Sequence, residues 1–134
     1  MGTKENQPKN DAVLTYDLVL SYSPDDAKKA QDTLNIIKLT EEKLRKHCEN
    51  QFSLSYTQLR NILQEVKQNE KNPVVIIPKL AYMEARQNKP EPKELIRFIR
   101  ELLVKAIESE KEQVFFEYMK TLVAYHKYYS TKNK

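Results

Sequence analysis

Glycine is almost missing from this chain: Gly2 is the single one among 134 residues. Phosphate-cradling loops and dinucleotide fingerprints need several glycines, for close backbone approach or positive φ, and both classes are excluded. Sandwiches and barrels also use glycine at turns and bulges, so a chain with almost none joins its elements through helix caps and its six prolines. The expectation is all-α. Cysteine is as scarce, and Cys48 alone closes neither an internal disulfide nor a multi-thiolate zinc site. No apolar run approaches a membrane span or a signal h-region, which points to a cytoplasmic protein without a membrane partner.

Catalytic apparatus is thin as well. His47 and His126 are the only imidazole bases. His47 adjoins Cys48, but neighbours on a helix point about 100° apart and do not form a nucleophile–base pair, so a buried thiol beside a partly exposed imidazole is expected. Neither H-E-x-x-H nor E-x-x-H occurs. The pairs Asp25-Asp26 and Glu41-Glu42 fall at expected helix starts, where the helix dipole accounts for them without a metal. No enzyme activity, cofactor or metal is expected.

What the chain does have is length for one domain and 40% hydrophobic residues in periodic blocks, which argues for a folded core. The net charge of +4 is unevenly placed. Residues 1–33 hold four lysines against six acids, a local −2, so the rest carries +6. That excess suits an anionic partner.

Residues 1–10 read as a disordered polar lead. Residues 12–22 place Leu14, Tyr16, Leu18, Leu20 and Tyr22 two apart, a strand-like spacing with no partner strand, and their structure stays open. The division expected is an ill-defined lead over 1–22 and a single helical domain over 23–134, a compact bundle of about five helices. The first helix is expected at the cap Ser23 with Pro24 at its first position, and Ala27, Ala30, Leu34, Ile37, Leu44 and Cys48 form its apolar face, with a break near Thr40. Ser55 and Gln58 spell a capping box that opens a second helix over about 56–68. A third follows Asn72-Pro73, and either kinks at Pro78 or starts beside it. Pro90 and Pro92 launch a fourth, with Leu95, Ile99, Leu102 and Ala106 inward. The fifth runs from about Ser109 or Glu110 to about Tyr129 ahead of a frayed basic tail.

The last helix carries Phe115, Phe116, Tyr118, Tyr125, Tyr128 and Tyr129, half of the twelve aromatics, with a ridge of core type. Its other side presents Lys120, Ala124 and Lys127 beside Tyr128, a strip a phosphate backbone can follow. Similar stripes recur at Arg60, Leu63 and Lys67, at Lys79, Tyr82 or Met83, and Arg86, and at Lys93, Arg97, Arg100 and Val104. Any single stripe is ordinarily a solvated face. Several of one sign, interleaved with tyrosines, are what a sequence-indifferent single-strand binder presents.

Three segments in order, SYTQLRNIL (55–63), KLAYMEAR (79–86) and FFEYMKTLVAYHKYY (115–129), resemble the small helical subunit of the type III-A CRISPR-Cas effector, the Csm complex. The resemblance covers about residues 53–130. It implies a small all-α protein without catalysis of its own, serving antiviral defence, stacked in several copies along the ribonucleoprotein beside other Csm subunits and lining the channel where target RNA pairs with guide RNA. It places Arg60, Lys79, Arg86 and Lys127 on the basic positions of the motifs. Lys67 and Lys120 extend the same stripes. Tyr82, Tyr125, His126 and Tyr128 are left between RNA stacking and packing, and Pro78 departs from the pattern directly before Lys79. The competing expectation is a helical interaction module that self-associates, a homodimer in isolation, with solvated basic faces.

Overall fold

The structure, a computed structural model, describes residues 13–132; the polar lead over 1–10 lies outside them. The described residues hold six α-helices and no strand. The strand-like alternation near the N-terminus resolves as one helical turn, α1 (Tyr16–Val19), opened by Thr15, whose hydroxyl accepts from the Leu18 amide at 3.1 Å. Val19, Leu20 and Tyr22 then enter the core.

α2 (Ala30–Glu49) corrects the sequence expectation in three ways. Ser23-Pro24 does not cap it. The chain turns there, and Asp26 caps a 3-10 turn over Ala27–Lys29 that leads into the helix. Its inner face is offset from the apolar one counted in sequence: Thr33, Ile36, Thr40, Leu44, His47 and Cys48 are buried, while Leu34 is 43% exposed. The reason is hydrogen bonding. Thr33 Oγ1 accepts from the Ser23 amide at 3.1 Å, and Thr40 shares a 2.7 Å bond with the buried Tyr118 hydroxyl, so both polar side chains are satisfied inside. The helix runs unbroken through Thr40 for the same reason. Glu41-Glu42 therefore lies mid-helix, where Glu41 accepts from Tyr129 and Glu42 from Arg45.

α3 (Tyr56–Gln68) starts at the complete Ser55–Gln58 capping box. Pro73–Val75 form a 3-10 turn before α4 (Ile76–Ala85). Pro78 is the third residue of α4, in the first turn, where amide groups have no intrahelical acceptor and a missing donor costs little. α5 (Pro90–Glu108) opens on its prolines and buries Leu95, Ile99, Leu102 and Ala106. Glu110, at φ 58°, then makes the left-handed turn that glycine usually makes. The Lys111 amide bonds back to Ala106 at 2.7 Å and the Glu110 amide to Ile107 at 3.2 Å, the two bonds of a Schellman motif.

α6 (Glu112–Lys132) continues past Tyr129 into the segment expected to fray. It is the central element, packed on α2, α3 and α5, with Phe115, Tyr118, Met119 and Leu122 fully enclosed. Burying each contributes on the order of 2 kcal/mol. α4 packs mainly on α5, and its contact with α3 is slight. That thin contact leaves a groove between α3 and α4.

Candidate nucleic-acid interface

Helix spacing decides where the cations go. On α3, Tyr56, Arg60, Leu63 and Lys67 recur at intervals of four, three and four, which keeps them on one flank. Leu59, Ile62 and Val66 take the inner face, so this flank faces outward, and Arg60 and Lys67 are exposed. On α6, Lys120, Ala124 and Lys127 are exposed opposite the buried aromatic ridge. The two rows meet where the Lys127 ammonium lies 4.6 Å from the centre of the Tyr56 ring. Arg60 and Lys67 have no ion-pair partner among the described residues, and Lys120 has only an exposed 3.5 Å contact with Glu117 in the next turn. Such a pair is worth a few tenths of a kcal/mol and does not occupy the lysine.

The Tyr56 platform under Lys127 is held from beneath. Its ring stacks on His126 with centroids 6.3 Å apart. His126 is fully buried, and its Nε2–H donates to the Leu54 carbonyl at 2.8 Å, a bond inside the bundle. The Leu54 amide in turn donates to His47 Nε2 at 3.0 Å, which leaves the proton of that ring on Nδ1, donated to Glu91 at 3.1 Å. Two imidazoles thus satisfy both peptide groups of the loop residue that precedes the α3 cap. His47 is buried, not partly exposed as expected from sequence. Burial foremost, with the neighbouring His126 and Lys43, holds its pKa down to about 4, and burial also lowers that of His126. Burial pushes the Cys48 thiol up to about 11, so it stays protonated at neutral pH.

The α4 row stands apart from these. Lys79 reaches Glu65 of α3 at 2.9 Å, and Glu65 lies about 140° around that helix from Arg60. Tyr82 is 64% exposed with the Arg86 guanidinium 5.6 Å from its ring centre. The six cations therefore form two groups, Arg60, Lys67, Lys120 and Lys127 along the α3–α6 seam, and Lys79 and Arg86 at the α3–α4 groove. Tyr125 is half-buried against the core, and Tyr128 is 52% exposed, edge-on to Tyr129 at 4.8 Å.

The fourth stripe is not a free face. Arg97 donates to Glu84 at 2.8 Å, Arg100 donates to it through two nitrogens at 3.2 and 2.8 Å, and the Lys93 ammonium donates to the Glu84 carbonyl at 3.3 Å. Glu84 is only 9% exposed. Burial alone would raise its pKa, but the Arg100 and Arg97 hydrogen bonds outweigh that and keep the carboxyl below its ordinary value. The side chain that sequence reasoning missed is Tyr56. Its spacing of four from Arg60 was the available signal.

Among the described residues no helix is long and apolar enough to cross a membrane, and no group of three or more His, Cys, Asp or Glu side chains is placed to hold a metal. No curated protein and no solved structure matches the chain. A family model described as Csm2 Type III-A matches residues 17–132, which takes in α2 to α6, all of α1 but its first residue, and both groups of cations, and the chain belongs to that family, the small subunit of the type III-A Csm effector.

Proposed function

We propose that this subunit is non-catalytic and holds RNA by its backbone, lining the channel in which guide and target pair and leaving sequence discrimination to base pairing. The observation that carries the proposal is the α3–α6 seam, where Arg60, Lys67 and Lys127 stay exposed without a carboxylate partner among the described residues. A polyanion is the complement such a row lacks. Family membership supports assembly with the other Csm subunits, and antiviral defence as the setting.

The mechanism is electrostatic. Each cation that neutralises a phosphate releases counterions, so its removal reduces the salt slope of single-strand binding by about 0.7. Arg60→Ala, Lys67→Ala and Lys127→Ala are each expected to weaken binding to unrelated RNA sequences equally, and to shift stability by no more than about 0.5 kcal/mol. Titrations of fluorescent RNA at several salt concentrations, with thermal melts of the same variants, check both. Early melting with an unchanged slope would make these residues structural.

One observation favours a second reading, a surface for copies of this chain or for other subunits. Val74, Val75 and Tyr82 are exposed along the α4 side. Sedimentation with and without RNA separates the two: a concentration-dependent dimer indifferent to RNA and salt supports the interaction module.

A further inference from the structure

The groove between α3 and α4 differs in chemistry from the seam. Its volume is about 590 Å³, within the range that takes a nucleoside-sized ligand. One wall is apolar and aromatic, from Pro78, Met83 and Tyr82 on α4. The other is a ridge of neutral amides, Asn61, Gln64 and Gln68, at spacings of three and four on α3. None of these amides has a hydrogen-bond partner within the described residues, so each keeps its donors and its acceptor free. The one charge pair inside, Lys79 with Glu65 at 2.9 Å, neutralises itself.

A phosphate is poorly served there, since the only lysine is already met by a carboxylate. A flat, neutral group with hydrogen-bonding edges is well served. Tyr82 offers the ring face that the Arg86 guanidinium, 5.6 Å from the ring centre, leaves open, and the amides offer donors and acceptors to a base edge. We propose that this groove takes one unpaired nucleobase of the bound RNA. The assignment rests on the RNA-binding reading above and adds to it a contact with a base.

The test compares a labelled ribodecamer with the same decamer stripped of its bases, bound to the intact protein. The wild type is expected to bind the base-free strand at least about five-fold more weakly. Tyr82→Ala and Gln64→Ala are expected to shrink that ratio toward one, Tyr82→Phe to retain it, and the salt slope to stay the same in all three, because no phosphate contact is touched. Equal wild-type affinity for both strands would overturn the base site while leaving backbone binding intact. Failure to bind either strand would overturn both. Hydrogen-exchange protection of the groove in the assembled effector after its RNA is digested would reveal a protein segment there, and would also overturn the assignment.

Discussion

α5 and α3 carry cations that look alike in sequence. Arg97 and Arg100 on one, Arg60 and Lys67 on the other, recur at helical spacing beside aliphatic residues. Their fates are opposite. The α5 pair converges on Glu84, a nearly buried acid of the neighbouring helix, whereas the α3 pair looks onto a flank where no described acid reaches it. Spacing decides which way a side chain faces; what the adjoining helix presents decides whether it is available. A charge count gives the two rows equal weight, and the packing of α4 on α5 removes one of them.

The comparison breaks most visibly at Glu84. Glu84→Ala strands two arginines, Arg100 partly buried and Arg97 half exposed, that were paired with a nearly buried acid. Allowing for the half-exposed Arg97, the loss is expected to be about 2 kcal/mol, read by urea denaturation. Arg60→Ala under the same conditions should move by less than a quarter of that. Should both variants unfold alike, the distinction between the two rows fails.

A second contrast lies beneath the seam, where the paired histidines hold Leu54. His47 has a folded pKa of about 4, below the unfolded value near 6.5, so the folded protein binds fewer protons in between. Its contribution is present in full well above pH 6.5 and is lost as pH falls through 6.5 toward 4. From pH 7.5 to 5 the loss is about 2 kcal/mol for this residue alone. Denaturation at pH 7.5 and pH 5 checks it, and His47→Gln should flatten the slope. The Glu84 cluster, with its carboxyl held below the ordinary range, should stay intact over that interval. Acid should therefore loosen the α2–α3 loop before it touches α4–α5. Local hydrogen exchange would read the order.

The smallest expected effect concerns the link between the helices. Glu110→Gly relieves a left-handed backbone that a side chain disfavours, and should stabilise by about 1 kcal/mol without altering either row. Thermal denaturation is sufficient to see it.

Much of this was legible in the sequence, and the exceptions share a cause. The Ser55 capping box, the prolines that open α5 and the aromatic ridge of α6 declare themselves through local chemistry, and the structure has them where spacing puts them. The inner face of α2 is not legible in the sequence because Thr33 and Thr40 are polar by type, and only their partners, the Ser23 amide and Tyr118, make them interior residues. The turn at Glu110 does without the glycine that usually marks such a place. At the candidate interface, exposure of Arg60, Lys67, Lys120 and Lys127 followed from periodicity. The capture of Arg97 by Glu84, the pairing of Lys79 with Glu65 and the contact of Lys127 with the Tyr56 ring each join two different helices, and no spacing within one helix encodes such a contact.

On the proposed function, the cations of the α3–α6 seam are the ones that meet RNA. Lysine-reactivity footprinting of the effector, with its RNA present and after the RNA is digested, tests it most directly. Lys67, Lys120 and Lys127 are expected to be shielded only while RNA is present, with Lys28 and Lys29 reacting equally in both states. Unchanged reactivity at the three seam lysines, or RNA-dependent shielding of Lys28 and Lys29 instead, would contradict it.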